Sequence, residues 1–98
     1  MDEKAVSALA QKTRKRILDE LITKETHASD LARKIGLDRP TICYHLSRLE
    51  AASLVSAQYV VLEQHSPGRA AKIYSVNKPK YDQTLKEFKQ MSTILGTP

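Results

Sequence analysis

Apolar residues along the first half of the chain return at helical intervals. Ala5, Val6, Ala8 and Leu9 make a short amphipathic start, and Ile17, Leu18, Leu21 and Ile22 follow at the i, i+1, i+4, i+5 spacing of one helical face. Between the two stands Lys12-Thr13-Arg14-Lys15-Arg16, four basic residues in five. Thr26 or His27 starts a third helix with Asp30 in its first turn; Leu31, Ala32 and Ile35 form its apolar side, and Gly36 occupies the position of a left-handed C-cap. Asp38 caps a fourth helix, which tolerates Pro40 in its first turn. After Leu54 the period changes. Val55 to Leu62 is rich in β-branched and aromatic residues, Ala70 to Val76 reads as a second strand, and Ser66-Pro67-Gly68 supplies the turn between them. Pro79 opens a last helix in which Tyr81, Leu85, Phe88, Met91 and Leu95 recur at spacings of three and four before Gly96 and Pro98 end it. The predicted order is four helices, a hairpin and a helix, a mainly α fold with one small β-hairpin.

The segment Asp38–Glu50 carries the chemistry. On a wheel of about 100° per residue, Ile42, Leu46 and Leu49 share one narrow stripe that must face the core. Thr41, Tyr44 and Arg48 lie opposite, His45 and Ser47 at the margins, and Arg39 at the helix start. That outer face offers a guanidinium, an imidazole, a phenol and hydroxyls, groups that bond base edges and phosphates, and it holds no acidic residue before Glu50. Two helices joined at Gly36-Leu37, the second bearing such a face, make a helix-turn-helix, and the hairpin that follows makes a wing.

The run Leu31-Ala32-Arg33-Lys34-Ile35-Gly36-Leu37-Asp38-Arg39-Pro40-Thr41-Ile42-Cys43-Tyr44-His45-Leu46-Ser47-Arg48-Leu49-Glu50 resembles the helix-turn-helix core of ArsR-type winged-helix regulators. In that family a Pro-Ser/Thr-hydrophobic-Ser-x-His-Leu run forms the recognition helix. Ser66-Pro67-Gly68-Arg69 followed by Lys72-Ile73-Tyr74 resembles the wing, whose second strand carries an aromatic core residue. The similarity spans Lys12 to Val76, with a looser match of the terminal helices to the family's dimerisation helices. It implies a winged helix-turn-helix of order α-α-α-α-β-β-α and an intracellular, cytoplasmic protein that binds double-stranded DNA as a homodimer. Arg39, Thr41, Tyr44, His45 and Arg48 are then the candidate base and phosphate contacts in the major groove, Arg69 and Lys72 of the wing Glu63–Lys72 lie on the backbone or in the minor groove, and Arg14 and Lys15 are candidate phosphate contacts. Val6, Leu9, Tyr81, Leu85, Phe88, Met91 and Leu95 are the candidate dimer contacts. Two departures stand out: Cys43 replaces a usual Ser, and Ser53 replaces a usual Gly before Leu54-Val55, which implies a changed turn or strain at Ser53.

Composition narrows the alternatives. Ninety-eight residues fit one domain, and 16 Lys+Arg against 11 Asp+Glu leave +5, a surplus that suits a polyanionic partner. The single Cys43 rules out an internal disulfide and paired-cysteine zinc sites. No apolar run reaches the roughly 18 residues of a membrane span, and the acidic, mixed start lacks the pattern of a signal peptide. The family's metal-sensing positions read His27-Ala28-Ser29-Asp30-Leu31, without cysteine, and Tyr81–Leu95 contains no histidine, so neither metal nor cofactor is expected. No nucleophile pairs with a base at a recognisable spacing, which argues against an enzyme. Other readings of the same fold are a winged-helix protein-interaction module and a non-specific DNA-coating protein.

Overall fold

The computed structural model describes residues 2–61 and 70–96, with side chains as far as Met91. The wing tip, with its candidate contact Arg69, and the side chain of Leu95 lie outside the described residues. The elements are α1 (Glu3–Leu9), α2 (Lys12–Thr23), α3 (Ala28–Ile35), α4 (Arg39–Ala51), β1 (Val55–Val61), β2 (Ala70–Val76) and α5 (Lys78–Gly96).

Three of the four leading helices start on a side-chain cap, which satisfies an amide that the first turn leaves orphaned. The Asp2 carboxylate accepts the Ala5 N–H at 3.1 Å, and the Gln11 amide oxygen accepts that of Arg14 at 2.8 Å. His27, not Thr26, caps α3, its Nδ1 accepting the Asp30 N–H at 3.2 Å. Asp38 occupies the N-cap of α4 but makes no bond to the backbone there. Its carboxylate instead accepts the Thr41 hydroxyl, which also holds it below the usual carboxylate pKa.

The buried faces are the apolar stripes of the helices. Ile17, Leu18, Leu31, Ile42, Leu46, Leu49 and Leu54 have no exposed surface and form one cluster with Leu9, Leu21, Val55, Tyr74 and Tyr81. Burying an aliphatic side chain of this size contributes about 1.5–3 kcal/mol, so α2, α3 and α4 are held mainly by these leucines and isoleucines. Ile22 is the exception, 42% exposed at the end of its helix.

Two turns set the direction of α4. At its start, Gly36 adopts φ 83°, and the N–H groups of Gly36 and Leu37 both donate to the Ala32 carbonyl, at 2.9 and 3.2 Å. At its end, the Leu54 N–H donates to the Leu49 carbonyl and the Ser53 N–H to the Glu50 carbonyl, each at 3.0 Å. That double closure is a Schellman motif, with Leu49 and Leu54 in the apolar contact that accompanies it. Its left-handed residue is Ser53, at φ 62°, so the strain expected where Ser replaces Gly is present. Asn77 ties this turn to α5: its side-chain amide donates to the Ser53 carbonyl at 3.1 Å and its backbone N–H to that of Leu54 at 2.9 Å.

β1 and β2 pair antiparallel with Val55 opposite Val76 and Val61 opposite Ala70. A bridge between Thr26 and Tyr74, with N–H···O distances of 3.2 and 2.8 Å, anchors β2 to the segment before α3. Tyr74 is buried, as expected of an aromatic on the second wing strand.

The terminal helices pack on each other within the chain, and this alters the expected dimer face. Val6, Leu9 and Tyr81 are only 6%, 2% and 4% exposed, because α1 lies directly on α5. Lys80 pairs with Asp2 at 2.6 Å, and the Tyr81 ring lies under the Lys15 ammonium, 5.7 Å from its centroid. α1 has only two turns and ends short of the rest of the stripe. Leu85, Phe88 and Met91 therefore stay half-exposed.

Candidate nucleic-acid interface

The two turns hold α4 with Ile42, Leu46 and Leu49 inward and a polar ridge outward. Tyr44, Ser47 and Arg48 form the crest, with Arg39 exposed at the N-terminal end. Tyr44 is 54% exposed. The Arg48 guanidinium lies over that ring, 5.7 Å from its centroid, and the Ser47 hydroxyl bonds back to the Tyr44 carbonyl at 2.7 Å. Among the described residues no carboxylate is within ion-pair reach of Arg39 or Arg48. The ridge therefore keeps its positive charge available.

His45 does not join the ridge. It is 8% exposed, turned toward α2, where its Nδ1 lies 3.2 Å from the Arg14 guanidinium. Arginine can only donate, so Nδ1 is the acceptor and the ring is neutral, carrying its proton on Nε2. Burial, and then the charge of Arg14, lower its pKa below the usual imidazole value. On the wheel His45 stands beside Ile42 and Leu49, and the packing of α2 and α1 extends the buried side of α4 to cover it. Arg14 is fixed a second time, its Nε donating to the Ala8 carbonyl at 2.7 Å.

The other expected backbone contacts are in different states. Lys15 points away from α4, bonded to Asp19 at 2.7 Å and lying over Tyr81. Lys72 faces α4 but lies 3.7 Å from Glu50 and over the Tyr74 ring. An ion pair this exposed is worth about 0–1 kcal/mol, so a phosphate can replace Glu50 at small cost. Thr41 spends its hydroxyl on Asp38.

Between α4 and the hairpin runs an open groove of about 830 Å³, to which Arg39, Cys43, Ser47, Tyr59 and Lys72 contribute along with His27 and Ser29 at the start of α3. Tyr59 was absent from the sequence reading as a site residue. It lies on the same side of β1 as buried Val55, but the hairpin overhangs the helical body there, leaving Tyr59 72% exposed. A large aromatic four residues into a strand that outruns its core was the available signal. Cys43 is half-buried at the groove wall. Among the described residues no group of three or more His, Cys, Asp or Glu could hold a metal ion, and no helix is long and apolar enough to cross a membrane.

This architecture is shared with known proteins. The profile of the family described as bacterial regulatory protein, arsR family, matches residues 11–57, from the cap of α2 into β1. The nodulation protein NolR of Rhizobium meliloti is 42% identical over 53 residues, 54% of this chain and 43% of that relative, so the match spans less than half of the curated relative's length. The crystal structure of NolR from Sinorhizobium fredii superposes with a TM-score of 0.66 at 30% identity, covering 97% of this chain and 84% of that one. The homodimeric winged helix-turn-helix DNA-binding domain of a Mycobacterium bovis protein has the same fold, with a TM-score of 0.71 at 20% identity over 94% of this chain and 79% of its own. The hairpin after α4 is thus the wing of a winged helix-turn-helix, and the chain belongs to the ArsR family of bacterial regulatory proteins.

Proposed function

We propose that this chain is a sequence-specific regulator of transcription that grips double-stranded DNA as a homodimer in the cytoplasm. The observation that carries the reading is the ridge on α4: Arg39, Tyr44, Ser47 and Arg48 exposed together, with both guanidinium groups free of carboxylates among the described residues. A helix of this diameter fits the major groove, where guanidinium, hydroxyl and phenol groups read base edges. The wing and its groove then lie along one flanking strand, with Tyr59 and Lys72 toward the sugar–phosphate backbone. Arg14 serves the opposite flank. Phosphate contacts supply much of the affinity and the ridge supplies the choice of sequence.

Leu85, Phe88 and Met91 form the centre of the dimer contact in this reading, and α1, with Val6 and Leu9 beneath its surface, forms the border. A half-exposed apolar stripe on a terminal helix is what a two-fold contact covers, and the homodimeric Mycobacterium bovis domain supports it. Two protomers related in this way present their α4 helices about one DNA turn, ~34 Å, apart. Selection of bound fragments from a random duplex library tests the function. Enrichment of a pseudo-palindrome with half-sites one turn apart supports it, and enrichment of nothing contradicts it.

A further inference from the structure

We infer that Lys4, Arg14 and Arg48 form a site for a phosphate oxyanion at the junction of α1, α2 and α4. A pocket of about 140 Å³ opens there, lined by these three cations with Ser7, Ala8 and Ala51, and by no carboxylate. Its volume is several times the roughly 30 Å³ of one liquid water, enough for a tetrahedral oxyanion.

Three positive groups share one small concavity at a Coulombic cost that an anion would relieve. Four other lysines are held by carboxylates: Lys15, Lys72, Lys78 and Lys80 pair with Asp19, Glu50, Asp82 and Asp2. Lys4 and Arg48 have no such partner among the described residues. Arg14 is held by two neutral acceptors, the Ala8 carbonyl and His45 Nδ1, so its position is fixed while its charge stays uncompensated. Three of its five N–H donors remain for a ligand. A guanidinium ordered in advance loses less entropy on binding than a free one. The Ser7 hydroxyl adds a neutral donor on the α1 side.

Arg48 belongs both to this pocket and to the ridge of α4, so the site lies beside the surface assigned to the major groove. That position suits a phosphate of the DNA strand flanking the groove. A phosphate group on a free small molecule has the same chemistry. Only the choice of DNA as the source rests on the proposed function.

Two measurements on the full chain separate the sources, each with Lys4→Gln as the variant. Lys4 is exposed and its substitution leaves the core intact, which a melting curve verifies. In the first, inorganic phosphate replaces chloride at constant ionic strength without DNA, and the amide signals of Ser7, Ala8 and Arg14 are followed by NMR. Saturable shifts in the wild type that vanish in Lys4→Gln support the site. In the second, affinity for a random duplex is measured against salt. Loss of one phosphate contact per protomer lowers the slope of log K against log salt by about 0.9 per protomer, and that loss names DNA as the source. Phosphate shifts with an unchanged slope support a small-molecule source. Absence of both effects overturns the proposal. A wild type that binds no DNA contradicts the proposed function, while the phosphate titration still decides the pocket.

Discussion

Ser53→Gly should stabilise the protein without touching the exposed ridge of α4. Ser53 holds φ 62° at the left-handed position of the turn that ends α4. A residue with a Cβ pays about 1–2 kcal/mol in that conformation, and glycine avoids the penalty but loses about 0.5–1 kcal/mol more backbone entropy on folding. The net gain is about 0.5–1 kcal/mol. Little offsets it, since Ser53 is exposed and its hydroxyl has no hydrogen-bond partner among the described residues, while the bonds of its N–H to Glu50 and its carbonyl to Asn77 survive in glycine. For a domain of this size the midpoint of thermal unfolding should rise by about 2–8 °C, measured at fixed protomer concentration because a dimer's melting depends on it. Ser53→Ala, which keeps the Cβ, should stay within about 0.5 kcal/mol of wild type. A Ser53→Gly protein that melts at or below the wild-type temperature would refute the strain argument. Affinity for DNA should be unchanged, because the turn lies behind the ridge.

Thr84 is 1% exposed and its hydroxyl has no partner among the described residues, so Thr84→Val, which keeps the shape and removes the stranded group, should raise stability by about 1 kcal/mol in urea unfolding; a loss would mean the hydroxyl is bonded in solution. His45 is neutral in the fold and its pKa is lowered, so the unfolded chain takes up its proton first as pH falls. Stability should be full above about pH 6.5, the unfolded value, and decline as pH drops through it toward the lowered folded value. His45→Gln should flatten that decline, whereas the lowered pKa values of Asp2, Asp30 and Asp38 act only in the more acidic carboxylate range. Leu85→Glu with Phe88→Glu should give a monomer by sedimentation at about 100 µM, a concentration at which even a weak wild-type contact fills; a wild type already monomeric there would contradict the proposed dimer.

Much of the architecture was legible because the apolar stripes of α2, α3 and α4 are regular and their ends are marked. Gly36 announced its turn, and Ser53 announced a strained one by standing where the family carries Gly. The bridge between Thr26 and Tyr74 left no trace in the sequence, since a two-residue pairing has no periodicity. The site was harder to read for a different reason. A helical wheel gives the angle of each residue but not what its neighbours cover. Tyr44 and Arg48 lie far enough from the Ile42–Leu46–Leu49 stripe for the angle to decide. His45 lies beside it, and only the approach of α2, bringing Arg14, turns it from surface to interior. Likewise Arg14 and Lys15 are neighbours in one basic run. The helical twist separates them, sending one to α4 and the other to Asp19 and Tyr81.

In the proposed function the ridge of α4 reads DNA sequence. The most direct measurement is the ratio of affinities for a selected duplex and a scrambled one of equal length, at fixed salt, for the wild type and for Arg48→Ala. The wild type should discriminate, and Arg48→Ala should lose about 1–3 kcal/mol of that discrimination at one base position. An Arg48→Ala protein that binds both duplexes more weakly but keeps the wild-type ratio would contradict it, and would assign Arg48 to the backbone alone.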